Sequence, residues 1–358
     1  MKKISIIVIA IVLVIVALST FKSEELSIKI GAVIPQTGFG SYWGSPVLKG
    51  IKLAEADLNK DFPNANIQIL IEDSQSQAAA AASAAQKLIS IDGVDALYSE
   101  FSGMSSAVSP IAQNAGKVFM YSTFNQKIAE DNPTSIKTFT SFEVACDKFA
   151  NQLDSAKKIL ILSAISDAAS YCEKALLKKL PASNVKKIEG FVGTDFKTVL
   201  LQNKQFAPDY IIPIMYEDGS YALIKQNHDL GMKFSFFCYK QDCVTEKLLK
   251  ELPQAATENI MYFEIPIDPE FVQRIKAVHP EISNDDIQGA ANAYQSMIAL
   301  GEGLVACEDR SAQCVTDNLA NKKTLLHAGY RDAKFVDRIL SSEITLNIVH
   351  DGKGEIVK

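Results

Sequence analysis

The chain reads as an α/β protein whose parallel sheets are covered by helices on both faces. Three observations predict this. Short runs rich in Ile, Val and Phe alternate with amphipathic stretches, the pattern of a parallel sheet between helix layers. The alternation breaks near Phe142 and then restarts. With 358 residues there is room for two domains, since one typically takes about 100–200 residues.

The elements follow in order. Residues 28–34 predict a strand, and 46–58 an amphipathic helix that opens near Gly44 after a Pro- and Gly-rich turn. Residues 67–72 predict a strand, then 78–90 an Ala-rich helix, Ala being the best helix former. A strand at 95–98, a helix at 105–115 and a strand at 118–121 complete the first half. In the second half, helices at 143–154, 168–180, 197–203 and 219–230 alternate with strands at 159–163, 185–191, 209–215 and 234–239. A strand-like YFEIP at 262–266 follows. The helix at 287–305 carries Ala291, Tyr294, Met297, Ile298 and Leu304 at helical spacing. A smaller helix at 314–321 precedes a terminal hairpin of 344–349 and 356–357 around Asp351-Gly352.

The N-terminus sets the compartment. Lys2 and Lys3 precede an uncharged apolar run over 4–18, and Ala17-Leu18-Ser19 is a small-x-small site. That is the layout of a secretory signal. The run is short of the roughly 20 residues of a membrane span, yet it continues to Phe21. Residues 1–22 are therefore a signal peptide or an N-terminal membrane anchor, and the remainder is periplasmic or extracellular.

Six cysteines in an exported chain predict disulfides. Proximity favours Cys238 with Cys243 and Cys307 with Cys314, which leaves Cys146 with Cys172. A metal site is the rival, but no CxxC occurs and no His stands beside a Cys, so the ligand spacing of a zinc site is missing. No metal and no cofactor are expected.

Composition and motifs weigh against other classes. The net charge of −6 and the lack of a basic, aromatic-studded patch disfavour nucleic acid. Gly38-Phe39-Gly40-Ser41-Tyr42-Trp43-Gly44 follows a strand, but its last glycine is one position late for a dinucleotide cradle. Gly103-Met104-Ser105-Ser106-Ala107 approaches a nucleophile elbow without the second glycine or a triad histidine. The four histidines are scattered. No enzyme is expected.

The turn after the first strand carries Pro35, Thr37, Gly38, Trp43 and Gly44. It resembles the opening of the solute-binding proteins of branched-chain amino-acid ABC transporters. Ser102-Gly103 continuing to Ser109-Pro110-Ile111-Ala112 resembles the family's first ligand turn and its helix. Pro208-Asp209-Tyr210-Ile211-Ile212, Tyr216 and Gly289-Ala290-Ala291-Asn292-Ala293-Tyr294 also match in order and spacing. The resemblance covers nearly all of the exported chain. It implies two Rossmann-like lobes with parallel-rich sheets joined by a three-crossover hinge (type I periplasmic binding protein). Lobe 1 would take residues 27–141 and 263–341, and lobe 2 residues 142–262 and 342–358.

It further implies a small polar ligand, an amino acid or a related amide or carboxylate, held between the lobes and passed to an ABC permease by a monomer. A sensor of the same fold that signals to a membrane or regulatory partner is the alternative. Ser102 precedes a helix whose N-terminus attracts a carboxylate, and Thr123 and Asn125 follow a strand that offers further donors. Trp43 would wall the side-chain pocket and Tyr216 would close from the second lobe. Where the family carries an acid for the ligand ammonium, this chain aligns Lys240, with Asp242 two residues on. Lys240 in the cleft would exclude an ammonium and favour an acid or an amide. Asp242 in the cleft would favour an amino acid.

Overall fold

The computed structural model describes residues 27–164, 166–191, 193–320 and 322–357. The N-terminal signal or anchor expected at 1–22 lies outside these. Two seven-stranded sheets organise the chain.

The first sheet has the order β11-β12-β5-β4-β3-β1-β2. Its strands are β1 (Lys29–Ile34), β2 (Gln68–Asp73), β3 (Ala96–Glu100), β4 (Val118–Ser122), β5 (Ser135–Lys137), β11 (Lys334–Val336) and β12 (Ile339–Ser341). β1 lies parallel to β2 and β3, pairing Ile30 with Ile69 and Ala96. All of β3 and β4 is buried, as a parallel sheet covered on both faces requires.

The second sheet has the order β14-β13-β10-β9-β8-β6-β7. It holds β6 (Ile159–Ser163), β7 (Val185–Ile188), β8 (Tyr210–Ile214), β9 (Ser235–Tyr239), β10 (Met261–Glu264), β13 (Thr345–His350) and β14 (Lys353–Ile356). β13 and β14 form an antiparallel hairpin. Its Asp351 and Gly352 both have positive φ, the geometry that favours Asp-Gly in two-residue turns.

The helices are α1 (Ser41–Asp61), α2 (Ala78–Ser90), α3 (Ser102–Asn114), α4 (Lys127–Asp131), α5 (Phe142–Ala150), α6 (Ser166–Leu176) and α7 (Lys197–Gln202). Then come α8 (Glu217–Asp229), α9 (Lys240–Cys243), α10 (Glu246–Glu251), α11 (Gln254–Thr257), α12 (Pro269–Val278), α13 (Asn284–Ala306) and α14 (Ala312–Ala320). α13 is buried along most of its length. It packs backbone to backbone on α1, where a Cβ on Gly50 would stand 2.1 Å from the Ala290 carbonyl oxygen. No larger residue fits there.

The chain passes between the sheets three times, after β5, after β10 and after β12. Because β10 runs to Glu264, the second passage begins there, two residues beyond residue 262. Lys137 ties down the first passage. Its buried Nζ donates to the carbonyls of Phe139 and Thr140 at 2.7 and 3.1 Å, and burial pulls its pKa down to about 7.

Three disulfides join Cys146 to Cys172, Cys238 to Cys243 and Cys307 to Cys314, with Cα separations of 5.3, 6.3 and 6.0 Å. The first staples α5 to α6. The second closes the turn from β9 through α9.

Several elements differ from expectation. α1 starts at Ser41, well before residue 46. α5 and α6 stop at Ala150 and Leu176, four residues short of 154 and 180. α12 was not anticipated, although Asp268 caps it from the N-cap position, accepting from Glu270 N and Phe271 N at 2.8 and 3.2 Å, and Pro269 holds the first turn. That Asp-Pro opening is a legible start signal. The hairpin of β11 and β12 escaped because three-residue strands carry too short a pattern to show a period.

Candidate functional site

The parallel register brings the carboxyl ends of β1, β3 and β4 to one edge of the first sheet and those of β8 and β9 to one edge of the second. Ligands of open α/β sheets sit outside such edges. A cavity of about 80 Å³ lies between them, with walls from both lobes. A single water needs about 10–15 Å³ of such space, so a small organic solute fits.

The first-lobe wall begins at the turn after β1. Thr37 Oγ1 donates to Asp73 Oδ2 at 2.6 Å, and the amides of Gln36 and Thr37 donate to Asp73 Oδ1 at 3.0 and 3.2 Å. These bonds hold the Asp73 carboxyl below its ordinary pKa, against a desolvation cost that pushes the other way. The acidic end of β2 thus serves as a clamp for the turn. Gly44 is required here, since a Cβ would lie 1.9 Å from the Pro35 carbonyl oxygen. The clamp sets the start of α1, which delivers Tyr42 and Trp43 to the cavity.

Glu100, Phe101 and Ser102 follow at the β3–α3 junction. Phe101 is the N-cap of α3 with φ of +60°, an uncommon conformation for a bulky residue of the kind that gathers at ligand sites. Ser102 opens α3, so its hydroxyl and the unpaired amides of the first turn stand at the positive end of the helix. Glu100 is only 2% exposed. Its Oε2 accepts from Trp43 Nε1 at 3.2 Å, and its Oε1 accepts from the Tyr98 hydroxyl and from Asn292 Nδ2 at 3.5 Å. Burial nevertheless dominates and pushes its carboxyl up to about 8. Thr123 and Phe124 complete this wall beyond β4.

The second-lobe wall comes from Met215 and Tyr216 after β8 and from Tyr239, Gln241 and Asp242 around the turn closed by Cys238–Cys243. The Asp242 side chain is partly open to the cavity yet ringed by protein. Burial, and secondarily the Glu217 carboxylate, raise its pKa well above the carboxylate range. Burial likewise pushes the Tyr216 phenol up to about 12. The Tyr239 hydroxyl and Gln241 Oε1 are buried and find no hydrogen-bond partner among the described residues.

Two aromatic triads span the lobes. Phe39 and Phe101 of the first lobe meet Tyr216 at 5.5 and 5.4 Å between ring centroids. Phe124 and Phe139 meet Tyr239 at 5.8 and 5.6 Å, both edge to face. The lobes also touch away from the cavity, where Glu246 N donates to Asp285 Oδ2 at 2.8 Å. The cleft is closed.

Of the residues singled out by sequence, Trp43, Ser102, Thr123, Tyr216 and Asp242 line this cavity, and Asn125 and Lys240 do not. Asn125 folds into its own turn: its Nδ2 donates to Ser106 Oγ at 3.3 Å and its Oδ1 accepts from Lys127 N at 2.9 Å. Lys240 turns away to Glu264, with Nζ and Oε2 2.7 Å apart. Sequence reasoning missed Tyr42, Glu100, Phe101, Gln241 and Tyr239. The strand-end positions of Glu100 and Tyr239 were the available signal. Among the described residues no lysine, arginine or histidine lines the cavity, and no group of His, Cys, Asp and Glu could hold a metal ion.

A periplasmic binding protein family model matches residues 27–337. A leucine-binding protein from Thermotoga maritima is 17% identical with a TM-score of 0.75, over 92% of this chain and 98% of that one. An ABC-transporter solute-binding protein from Rhodopseudomonas palustris, solved with p-hydroxybenzoic acid, is 21% identical with a TM-score of 0.76, over 92% and 95%. A branched-chain amino-acid transporter substrate-binding protein from Streptococcus pneumoniae, solved with isoleucine, is 19% identical with a TM-score of 0.73, over 92% and 99%. At these identities the structural likeness is one of fold. No curated protein matches the chain.

Proposed function

Because this chain belongs to the periplasmic binding protein family, we propose that it is an extracytoplasmic solute-binding protein that captures a small amino acid between its lobes and delivers it to an ABC importer. One observation carries the choice of ligand. The cavity holds two carboxyl groups, Glu100 and Asp242, and among the described residues no basic side chain. A simple aromatic carboxylate, like that bound by the Rhodopseudomonas neighbour, would be buried there with no basic side chain among the described residues to pair with it. An amino acid instead places its ammonium toward Asp242 and its carboxylate toward Ser102, Thr123 and the N-terminus of α3. The aromatic walls favour an apolar side chain.

Capture works by closure. A ligand seated on the first lobe gains its second-lobe partners, Tyr216, Gln241 and Asp242, only when the cleft shuts. That differential affinity for the closed form drives the change. The three passages between the sheets serve as the hinge, and the closed outline is what the permease reads.

A thermal-shift screen against amino acids, their amides and small carboxylates tests this. Binding at a hundredfold excess over Kd adds about 2.7 kcal/mol of stability. The expected result is a shift with valine, leucine or isoleucine and none with benzoate. A shift with carboxylates alone would overturn the assignment of Asp242. A protein partner that binds where no solute does would move the chain to the sensor class.

A further inference from the structure

The recognition element for the ligand's nitrogen is more specific than a single carboxylate. We propose that the cavity is a cation cage: aromatic rings, flanked by the Asp242 carboxyl, recognise the ligand's nitrogen by its charge, so that alkylated ammonium ligands are accepted. This rests on the cleft being the ligand site.

Four observations converge. Trp43, Tyr42, Phe101, Phe124, Tyr216 and Tyr239 all line the cavity, and a ring face attracts a cation, tryptophan most strongly. The rings are fixed. Tyr216 and Tyr239 are wedged in the two interlobe triads, and Trp43 is tethered through Nε1 to Glu100 at 3.2 Å. Asp242 lines the cavity from the second lobe, opposite Glu100, whose carboxyl burial keeps protonated at neutral pH. Lys240, which follows Tyr239 at the second-lobe wall, is neutralised by Glu264 outside the cavity, and Lys247 lines the adjoining pocket rather than this one.

Hydrogen-bond supply points the same way. A primary ammonium needs three acceptors arranged around its three N–H groups. Thr123 Oγ1 already accepts from Asn125 N at 2.9 Å, and the Glu100 oxygens already accept from Trp43, Tyr98 and Asn292. Among the described lining groups, Gln241 Oε1 and the Tyr239 hydroxyl are buried without a partner, and the Asp242 carboxyl stands beside them. The site is thus richer in aromatic rings than in free acceptors. A nitrogen bearing methyl groups loses few hydrogen bonds here and gains ring contact.

The test compares four probes on the purified protein: valine, its N,N,N-trimethyl betaine, tetramethylammonium, and 3-methylbutanoate, which keeps the carboxylate and lacks the nitrogen. Trp43 is the single tryptophan of the chain, so its fluorescence reports this cavity alone. The expected result is saturable quenching by the betaine with a Kd no weaker than that for valine, measurable binding of tetramethylammonium, and none of 3-methylbutanoate. Trp43→Leu should weaken betaine binding roughly 30-fold, followed by calorimetry, while Trp43→Phe recovers part of the loss because it restores a ring face. Binding of valine with rejection of the betaine would overturn the cage and leave the amino-acid assignment standing. Binding of 3-methylbutanoate without any of the ammonium probes would overturn both.

Discussion

The two walls of the cavity are built differently. The side chains that shape the first-lobe wall are held within the lobe, and the free amides at the start of α3 are left to meet a ligand. Asp73 clamps the turn ahead of α1, and Glu100 is surrounded by donors from Trp43, Tyr98 and Asn292. The second-lobe wall carries the loose ends: the Tyr239 hydroxyl and Gln241 Oε1 lack partners, and Asp242 is held far above its ordinary pKa by burial. Preformed polar groups change little when a ligand arrives, whereas orphaned ones gain the most. The first lobe therefore orients the ligand, and the second supplies the energy of closure.

This contrast is broken most directly at Asp242. Replacing it with Asn should weaken binding of an ammonium ligand about 30- to 5000-fold, since truncating one partner of a buried charge pair costs about 2–5 kcal/mol. The melting temperature of the free protein should hold or rise, because a buried acid is removed. Calorimetry with valine on both proteins decides. A loss below threefold would place the ammonium elsewhere.

The disulfides sharpen the comparison next. Changing Cys238 and Cys243 together to Ser frees the turn that aims Gln241 and Asp242, so affinity should fall about tenfold along with stability. Changing Cys307 and Cys314 removes a clip distant from the cavity. It should cost stability of similar order, about 2–4 kcal/mol, with affinity unchanged. Equal affinity losses in both pairs would mean that closure senses overall stability rather than the aim of that turn.

The pH dependence separates the lobes further. Burial pushes the Glu100 carboxyl up to about 8 in the folded protein, from the ordinary value of about 4.5 that it keeps in the unfolded chain. Between these values the folded state keeps a proton that the unfolded state has lost. Stability therefore falls as pH rises through this window, by up to about 1.4 kcal/mol per unit. Glu100→Gln should flatten that slope and raise the melting temperature at pH 8 relative to the parent. The groups facing Glu100 that titrate are the phenols of Tyr98, Tyr239 and Tyr330, all raised well above 10 by burial, so they stay neutral throughout. A parallel slope in parent and variant, read from melts between pH 5 and 8, would contradict this assignment.

The smallest effect is expected at Ser102. Its hydroxyl is one donor among several backbone amides at the start of α3, and a single hydrogen bond contributes about 0.5–1.5 kcal/mol. Ser102→Ala should cost tenfold or less in affinity, with the closed form intact by small-angle scattering.

How much of this was legible in the sequence follows from pattern length. The strands of 28–34 and 159–163 are long runs of buried apolar residues, and α13 repeats its apolar positions over many turns, so their type was plain. β11 and β12 are too short for any period. The site divided along a similar line. Trp43, Ser102, Tyr216 and Asp242 stand in turns after strands, where topology alone directs attention. Lys240 and Asn125 stand in the same turns, but their side chains are drawn off by local partners, Glu264 and the turn at Lys127. Such pairings depend on where a third segment passes, which spacing does not encode. Glu100 stands two residues beyond the strand expected at 95–98, and its burial among Trp43, Tyr98 and Asn292 rests on segments that spacing does not bring together.

The measurement that bears most directly on the division of labour between the lobes is a fluorescence titration of Trp43 with valine at pH 7 in the parent and in Asp242→Asn. The expected result is a saturable change in the parent and, in the variant, a similar limiting change reached only at a far higher concentration. That would mean the first-lobe wall still receives the ligand while the second no longer supplies its share. An unaltered midpoint in Asp242→Asn would contradict the claim that the second lobe supplies the energy of closure.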